Sequence, residues 1–158
     1  RKTPIFKATV LSILIAGLVN FIGVSFVNTE INFFTGIKSG ITTIFVLFIS
    51  VYISSFVNLI AFENVTKKNA SLSNIFNYTA LLYSFSFLIY ALEPILTIFF
   101  FYKIFLFYTI YIAWNGIEHF IEVPNDNKVV FTTICGFSVI CVPILINKIL
   151  TLLMPGLI

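Results

Sequence analysis

Five long apolar runs restrict the fold of this 158-residue chain more than any other feature of its sequence. Each run contains about 20 mostly apolar residues, the length that an α-helix needs to cross the hydrocarbon core of a membrane. Only helices and closed barrels satisfy their backbone groups there, and these runs do not alternate in polarity as barrel strands do. The sequence therefore predicts an all-α, polytopic bundle forming one transmembrane domain, 1–158, with spans at about 8–28, 41–62, 75–92, 95–117 and 129–154.

The amino-acid composition also indicates a membrane environment. Hydrophobic residues make up 59% of the chain and charged residues only 9%, whereas a soluble domain carries about 25% charged residues. Such a chain is unable to cover a water-facing surface with polar groups. The net charge of +3 is small and dispersed, which argues against nucleic-acid binding. The expected partners are therefore membrane lipids and other membrane proteins.

Two prolines mark irregular points in this pattern. Glu93 and Pro94 separate the third and fourth runs, which predicts a short turn and a tight antiparallel hairpin. Pro143 lies inside the fifth run, where it removes one backbone hydrogen bond and predicts a kink.

Basic residues favour the cytoplasmic side of a membrane, and their distribution predicts the orientation. With five spans, the N-terminus and the loops 63–74 and 118–128 share one side. That side carries six basic residues: Arg1, Lys2, Lys7, Lys67, Lys68 and Lys128. The opposite side has Lys38 and Lys148. We expect a bacterial inner membrane or an organellar membrane, with the N-terminus in the cytoplasm.

The sequence contains few groups able to perform chemistry. The single histidine, His119, follows Glu118 just beyond the fourth run. A carboxylate beside an imidazole tunes its pKa or helps to hold a metal, but neighbours on a helix point about 100° apart. A polar helix end at the membrane surface is the favoured interpretation. We expect no catalytic residues, no bound metal and no cofactor, and therefore no enzymatic activity.

Small and polar residues within the runs predict helix packing. Gly36 and Gly40 have the GxxxG spacing at the entrance to the second run, where they favour close approach of a neighbouring helix. Four asparagines lie in or near spans: Asn20, Asn58, Asn77 and Asn147. Hydrogen bonds between helices are the expected role of these asparagines. A polar pathway would require several of them to converge.

Lys103 is the one charge near the middle of an apolar run. At 1.5 Å per residue it lies about 4–5 Å from the centre of a span over 95–117. Ionisable residues at such depth are candidates for function. We expect its ammonium group to reach towards the Glu93 side, with Glu93 and Glu30 as its partners. A role in an ion or substrate pathway, or a contact with a partner subunit or lipid headgroup, remains open.

Three sequence segments match the pattern of a known membrane-protein family. They read NIFNYTALLYSFSF at 74–87, ALEPIL at 91–96 and FYTIYIAWNGIEHFIEVPNDNK at 107–128. In this order they resemble the Yip family of five-span membrane proteins. These are similar to the family's third span, to its proline turn, and to its aromatic fourth span with the proline-containing loop that follows. Two positions depart from the pattern, since Phe87 stands where a proline is expected and Lys103 where the family is apolar or small. The family has Rab-interacting members in eukaryotes and uncharacterised members in bacteria. The resemblance implies a five-helix fold and a role as an organiser or binding partner at membranes, without catalytic residues.

Two other interpretations remain from the sequence. The chain has the character of an accessory subunit in a larger respiratory or transport complex, where small aromatic membrane chains are common. It is also compatible with a small transporter or channel, in which Lys103 and the asparagines would line one cavity. The leading expectation is a non-enzymatic protein of the Yip type that acts through protein or lipid interactions in the bilayer.

Overall fold

The computed structural model describes residues 4–27, 33–94, 100–121 and 123–153, and these residues form helices without any strand. The α-helices are α1 (Pro4–Val27), α2 (Phe33–Thr66), α3 (Leu72–Leu92), α4 (Tyr108–Phe120) and α5 (Asn125–Leu153). A 3₁₀ helix, Phe100–Phe107, leads directly into α4. The predicted all-α membrane bundle is confirmed.

Helices α1, α2, α3 and α5 are long and apolar enough to cross a membrane. The fourth predicted span, 95–117, differs from its prediction because its described part begins as a 3₁₀ helix of 8 residues and continues as α4, with 13 residues. Residues 95–99 lie outside the described part. At about 2.0 Å per 3₁₀ residue and 1.5 Å per α-helical residue, the combined segment is about 35 Å long. This is enough to cross a hydrocarbon core of about 30 Å.

Helix α2 is longer than its predicted span of 41–62. It has 34 residues and includes both Lys38 and Glu63, which the sequence places at the ends of the apolar run. Long charged side chains near the ends of a membrane helix reach the interface while their backbone stays helical, so a charge does not end the helix. The end comes at Lys67, whose left-handed φ of 58° turns the chain towards α3.

Four of the five α-helices surround the remaining one, α3. Helix α3 packs against each of the other four, while α1, α2, α5 and α4 follow one another around it. Among the described residues, α1 does not pack against α4 or α5, so this ring is open on one side. Tyr78 and Tyr83 of α3 are fully buried, and Tyr78 Oη donates a hydrogen bond to the backbone oxygen of Ala113 in α4 at 2.9 Å. The core therefore lies along α3.

Three glycines allow α1 and α2 to approach closely. A Cβ atom added at Gly40 would lie 2.9 Å from the carbonyl oxygen of Gly17 and 3.0 Å from Phe21 Cβ. One added at Gly36 would overlap Ser25 Oγ. Both glycines of the GxxxG pair are inside α2 and buried. The pair is therefore a packing motif within the chain, and its partner is α1.

Large apolar side chains cover the outer surface of the bundle. Examples on three helices are Phe45 and Phe56 of α2, Tyr111 of α4 and Phe137 of α5, all of which are exposed. A soluble protein rarely exposes contiguous apolar area of this extent. These faces are suited to contact with lipid chains or with other membrane helices.

Candidate functional site

Five polar side chains from three helices meet in the interior of the bundle. We call this group the interior polar cluster: Ser54 and Asn58 of α2, Thr79 and Tyr83 of α3, and Ser138 of α5. Asn58 lies at its centre and is fully buried. Its Nδ2 donates to Thr79 Oγ1 at 3.0 Å, and its Oδ1 accepts from Ser138 Oγ at 2.8 Å. The asparagine amide therefore connects α2 to both α3 and α5.

A second contact extends the interior polar cluster along α2 and α3. Ser54 Oγ and Tyr83 Oη lie 2.9 Å apart and share a hydrogen bond. Ser54 is one turn from Asn58 on the same face of α2, because residues four apart on a helix lie one above the other. The cluster satisfies its polar atoms through bonds among its own members and the nearby backbone. Its arrangement holds three helices in register.

Spacing along α2 explains why these groups converge. Every fourth residue from Thr42 to Asn58 is buried, and the set is Thr42, Val46, Ser50, Ser54 and Asn58. Four of the five carry a polar side chain. The sequence analysis singled out Asn58 and missed the serines and threonines around it. The signal that marks them is this interval of four residues on one helical face.

A cleft of about 430 Å³ opens near the C-terminal end of α5, between α2, α3, the 3₁₀ helix and α5. We call it the polar cleft. Its polar lining comes from three helices and the residue after α3: Thr42, Thr43, Tyr90, Glu93, Asn147, Lys148 and Thr151. Val46, Leu47, Ile89, Leu106 and Ile144 form its apolar lining. The cleft thus combines a cation, a carboxylate and an apolar wall.

Pro143 contributes to the shape of the polar cleft. It is buried inside α5, and the helix continues on both sides of it. A proline in this position donates no bond to the carbonyl four residues earlier, which is that of Val139. Pro143 also lines the cleft. The proline that predicts a kink in the fifth span therefore lies within a continuous helix and forms part of the cleft wall.

The buried hydroxyl of Thr42 lines the polar cleft without a hydrogen-bond partner among the residues that the structure describes. Thr42 is 8% exposed, and its Oγ1 makes no hydrogen bond with any described residue. By comparison, the Thr43 hydroxyl donates to the carbonyl of Ser39 at 2.9 Å, and that of Thr151 donates to the carbonyl of Asn147 at 2.8 Å. Buried polar atoms are normally paired, so an unpaired one calls for an explanation.

The predicted partners of Lys103 lie in different parts of the chain. Glu93 lines the polar cleft. Glu30 and the side chain of Lys103 lie outside what the structure describes, so the predicted pairing stays a prediction. The backbone of Lys103 is three residues into the 3₁₀ helix, about 6 Å along the axis from Phe100 at 2.0 Å per residue.

The predicted asparagine contacts are formed in part. Asn58 bonds to two other helices as described above. Asn20 Oδ1 accepts from Ser39 Oγ at 2.6 Å, and its Nδ2 donates to the carbonyl of Tyr90 at 3.4 Å. Asn77 Oδ1 has no hydrogen-bond partner among the described residues, and Asn147 lines the polar cleft. Two of the four thus connect helices.

At the opposite end of the bundle, Glu118 pairs with Lys128, the first basic residue of α5. Lys128 Nζ lies 2.8 Å from Glu118 Oε1 and 4.5 Å from the centre of the Trp114 ring. Asn127 Nδ2 donates to the carbonyl of Val65 at 2.8 Å, which ties the start of α5 to the end of α2. His119 is exposed. No group of three potential metal ligands occurs within the described ranges.

The contact with Lys128 changes the acidity of Glu118, which lies past the apolar part of α4. The hydrogen bond from Lys128 and the charge of that ammonium hold the pKa of the Glu118 carboxyl below its ordinary value of 4.5. A depressed carboxyl pKa stabilises the fold above the ordinary value, and this contribution is lost as the pH falls through the lowered one. Because Glu118 is 69% exposed, solvent screens most of the interaction.

Replacing Lys128 with methionine is expected to lower the free energy of unfolding by about 0.5–1 kcal/mol, the usual contribution of a cation–π contact with a partly exposed ring such as Trp114. The ion pair with the exposed Glu118 is lost as well. Glu118→Gln should have a smaller effect, since the carboxylate is exposed. Unfolding in mixed micelles at neutral pH measures both. The stability difference between wild type and Glu118→Gln should vanish as the pH falls well below 4.5; a difference that persists in acid would contradict the assigned pairing.

Comparisons with family models, with curated proteins and with solved structures find no match to this chain. The resemblance to the Yip family therefore stays a prediction from the three sequence segments that carry it. What the geometry adds is a membrane bundle with an interior polar cluster and a polar cleft on the same three helices.

Proposed function

We propose that the chain is a non-enzymatic integral membrane protein of the Yip type, which acts through contacts with proteins or lipids in the bilayer. Its helices are apolar enough to cross a membrane. The resemblance of 74–87, 91–96 and 107–128 to Yip spans supports the family and the role of organiser or binding partner.

The outer surface of the bundle is the observation that carries this proposal. Aromatic and branched side chains project from α2, α4 and α5, including Phe45, Tyr111 and Phe137. Aromatic rings bring large contact areas at low entropic cost and are enriched where proteins associate. The side that α1 and α4 leave open around α3 adds a second surface available to a neighbouring helix.

The interior supports a role without catalysis. Nucleophilic catalysis requires a nucleophile, a base and an orienting group that converge. In the described interior, the hydroxyls of Ser54 and Tyr83 bond to each other, and Asn58 is engaged by Thr79 and Ser138. The interior polar cluster contains neither a histidine nor a carboxylate. Its groups are suited to holding helices together.

Cross-linking within the membrane tests the proposal. A photoreactive phenylalanine analogue is placed at Phe45, Tyr111 or Phe137 on the outer surface, and at buried Tyr83 as the matched control. We expect an adduct of one defined protein mass, or one retained lipid, from an outer position and only internal cross-links from position 83. Irradiation in native membranes followed by mass spectrometry measures the adducts. A diffuse set of adducts identical at all outer positions would contradict specific interaction.

A small transporter is the second candidate, because the polar cleft and the interior polar cluster share α2, α3 and α5. Between them on α2 lies Ser50, and on α3 lies Ser86, both fully buried. Proteoliposomes containing only this chain test this candidate. Transport would be expected to disappear in Ser54→Ala and persist in Thr133→Ala, whose hydroxyl lies on an exposed face. Transport with that pattern would also contradict the leading proposal.

A further inference from the structure

We infer that the polar cleft binds the phosphodiester group of a phospholipid, whichever headgroup that phosphate carries. This rests on the proposed function and deepens it, since it names the lipid group with which the bundle interacts. Three features of the cleft support the inference: a set of unengaged hydrogen-bond donors, the buried hydroxyl of Thr42, and a position between an apolar wall and the membrane boundary.

The unengaged polar groups of the cleft are hydrogen-bond donors. Four side chains line the cleft and make no hydrogen bond with any described residue: Thr42, Tyr90, Asn147 and Lys148. Each of them carries at least one donor, and an ammonium group carries three. Lys148 also forms no ion pair within the described ranges. This set is suited to an anion, because hydrogen bonds to a charged acceptor are stronger than those between neutral groups.

The donors surround the cleft from three helices. Thr42 belongs to α2, Tyr90 to α3, and both Asn147 and Lys148 to α5. A phosphate presents its oxygens in several directions, so donors on different sides bind different oxygens. A carboxylate presents two oxygens in one plane. The arrangement therefore favours a phosphate over the carboxylate of a fatty acid.

The hydroxyl of Thr42 is the independent sign of a ligand. Thr42 is 8% exposed, lines the cleft, and its Oγ1 has no partner within the described ranges. Leaving such a group unpaired is costly. A phosphate oxygen in the cleft would accept a hydrogen bond from it, which explains why a polar atom is kept in this position.

The charges of the lining favour a singly charged anion. Glu93 also lines the cleft, but it takes part in another interaction of the protein, so it is not counted among the ligand-binding groups. Its negative charge opposes an anion, whereas the ammonium of Lys148 attracts one. A phosphodiester carries one negative charge and a phosphomonoester carries up to two. The diester of an ordinary phospholipid is therefore the better match.

The position of the cleft makes a lipid the source of the phosphate. Thr42 lies four residues after Lys38, about 6 Å along the axis of α2, and Lys38 precedes the apolar run of that helix. Leu47 and Ile89 form an apolar wall, and Ile144 lines the cleft while being 49% exposed on the outer face of α5. At about 430 Å³ the cleft has the size of a small-molecule site. A phosphate held there leaves its acyl chains on the outer apolar surface.

Lipid titration with native mass spectrometry tests the inference on the full chain in mild detergent. Phosphatidylcholine, phosphatidylglycerol, diacylglycerol and a fatty acid are compared at equal chain length. We expect the two phospholipids to bind within about threefold of each other. The two lipids without phosphate should bind at least about tenfold more weakly, the effect of one charge-assisted hydrogen bond.

Three outcomes of the titration would overturn the inference. The first is binding of diacylglycerol or the fatty acid as tight as that of the phospholipids. The second is a preference of more than about tenfold for one headgroup, which would mean that the cleft binds the headgroup. The third is displacement of phosphatidylglycerol by an equal concentration of inorganic phosphate, which would make a soluble ion the ligand.

Variants assign the contacts. Lys148→Ala should weaken phosphatidylglycerol binding about tenfold, while Lys68→Ala, which removes the same charge from an exposed loop, should leave it unchanged. Tyr90→Phe removes only a hydroxyl and should weaken binding about threefold. Glu93→Gln should leave binding unchanged or strengthen it, because a repelling charge is removed. Equal binding by Lys148→Ala and wild type, or strong loss of binding in Glu93→Gln, would contradict an anionic ligand.

Thr42→Val separates a ligand contact from a structural role. Without lipid, this variant should be as stable as wild type or more so, because an unpaired buried hydroxyl is removed. With phosphatidylglycerol, its affinity should fall about threefold or more. Thr133→Val is the control on an exposed face of α5. Unchanged affinity in Thr42→Val would overturn the assigned contact.

The lipid titration and the cross-linking experiment fail independently. Loss of the preference for phosphate-bearing lipids, while defined protein cross-links persist at Phe45, Tyr111 or Phe137, would refute this inference and leave the proposed function standing. Diffuse cross-links at all outer positions would instead contradict the proposed function, whatever the titration gives.

Discussion

Gly40→Ala is expected to lower the free energy of unfolding by about 1–3 kcal/mol, the usual cost of forcing an extra group into a packed interface. The new methyl group would lie 2.9 Å from the carbonyl oxygen of Gly17. That oxygen belongs to the backbone of α1, so no side-chain rotation relieves the overlap and the helices must separate. Unfolding in mixed micelles, monitored by circular dichroism, measures the change.

Gly116→Ala is the matched control, because it makes the same replacement inside α4. Its new methyl group would lie 3.2 Å from Leu81 Cδ2 and from Tyr78 Cε2. Both contacts are with side-chain atoms, and they are 0.3 Å longer than the backbone contact at Gly40, which is 2.9 Å. We expect a clearly smaller loss of stability than at Gly40. Equal losses in the two variants would contradict the close backbone contact between α1 and α2.

Asn58→Leu is the second large expected effect, with a loss of about 1–3 kcal/mol. The leucine removes bonds from α2 to both α3 and α5, each worth about 0.6 kcal/mol on average in membrane proteins and up to about 1.7. It also leaves the hydroxyls of Thr79 and Ser138 beside a branched apolar group. The same unfolding measurement applies, and the loss should be accompanied by faster proteolysis of the detergent-solubilised chain.

Asn115→Leu controls for the loss of an asparagine. Asn115 is exposed on α4, and its Nδ2 donates to the carbonyl of Tyr111 in its own helix, at 3.1 Å. Leucine in this position gains apolar contact with the surrounding lipid or detergent. The control variant should therefore be as stable as wild type. A loss at Asn115 as large as that at Asn58 would mean that the interior polar cluster does not hold the bundle together.

The fold class followed from the sequence because long uncharged runs leave few structures that a membrane accepts. The boundaries were harder to predict. Lys38 and Glu63 are charged and interrupt the apolar pattern, yet both lie within α2. The backbone of a helix continues for as long as its hydrogen bonds form, while the apolar run ends where the bilayer does.

No sequence pattern distinguishes the 3₁₀ helix Phe100–Phe107 from the α-helical spans. Its residues are as apolar and aromatic as those of the α-helical spans. Because 3₁₀ and α-helices differ in rise per residue, the depth estimated for Lys103 along an α-helix does not carry over to this segment. Tertiary contacts with α3 and α5 accompany this geometry, and these two helices come from other parts of the chain.

The candidate site was predictable only in fragments. Asn58 is recognisable in the sequence because burying an unpaired amide in a membrane is energetically costly. The hydroxyl residues that bond to it, Thr79 and Ser138, are not distinguishable from other serines and threonines of the spans. Many membrane serines bond to the carbonyl of their own helix, as Ser50 and Ser55 do here at 2.5 and 2.7 Å. A single sequence does not separate these from serines that connect helices. Glu118 was recognised as polar, while its partner Lys128 entered only as a marker of orientation.

The central position of α3 has a consequence for how the protein enters a membrane. Helix α3 is the least apolar of the four helices that are long and apolar enough to cross a membrane. Its mean hydropathy is 1.5, whereas those of α1, α2 and α5 lie between 2.1 and 2.5. Its polar groups are favourable only beside other helices. Since synthesis proceeds from the N-terminus, α1 and α2 are available before α3 emerges from the ribosome. We therefore expect α3 to enter the bilayer against the pair of α1 and α2, which pack closely at their glycines.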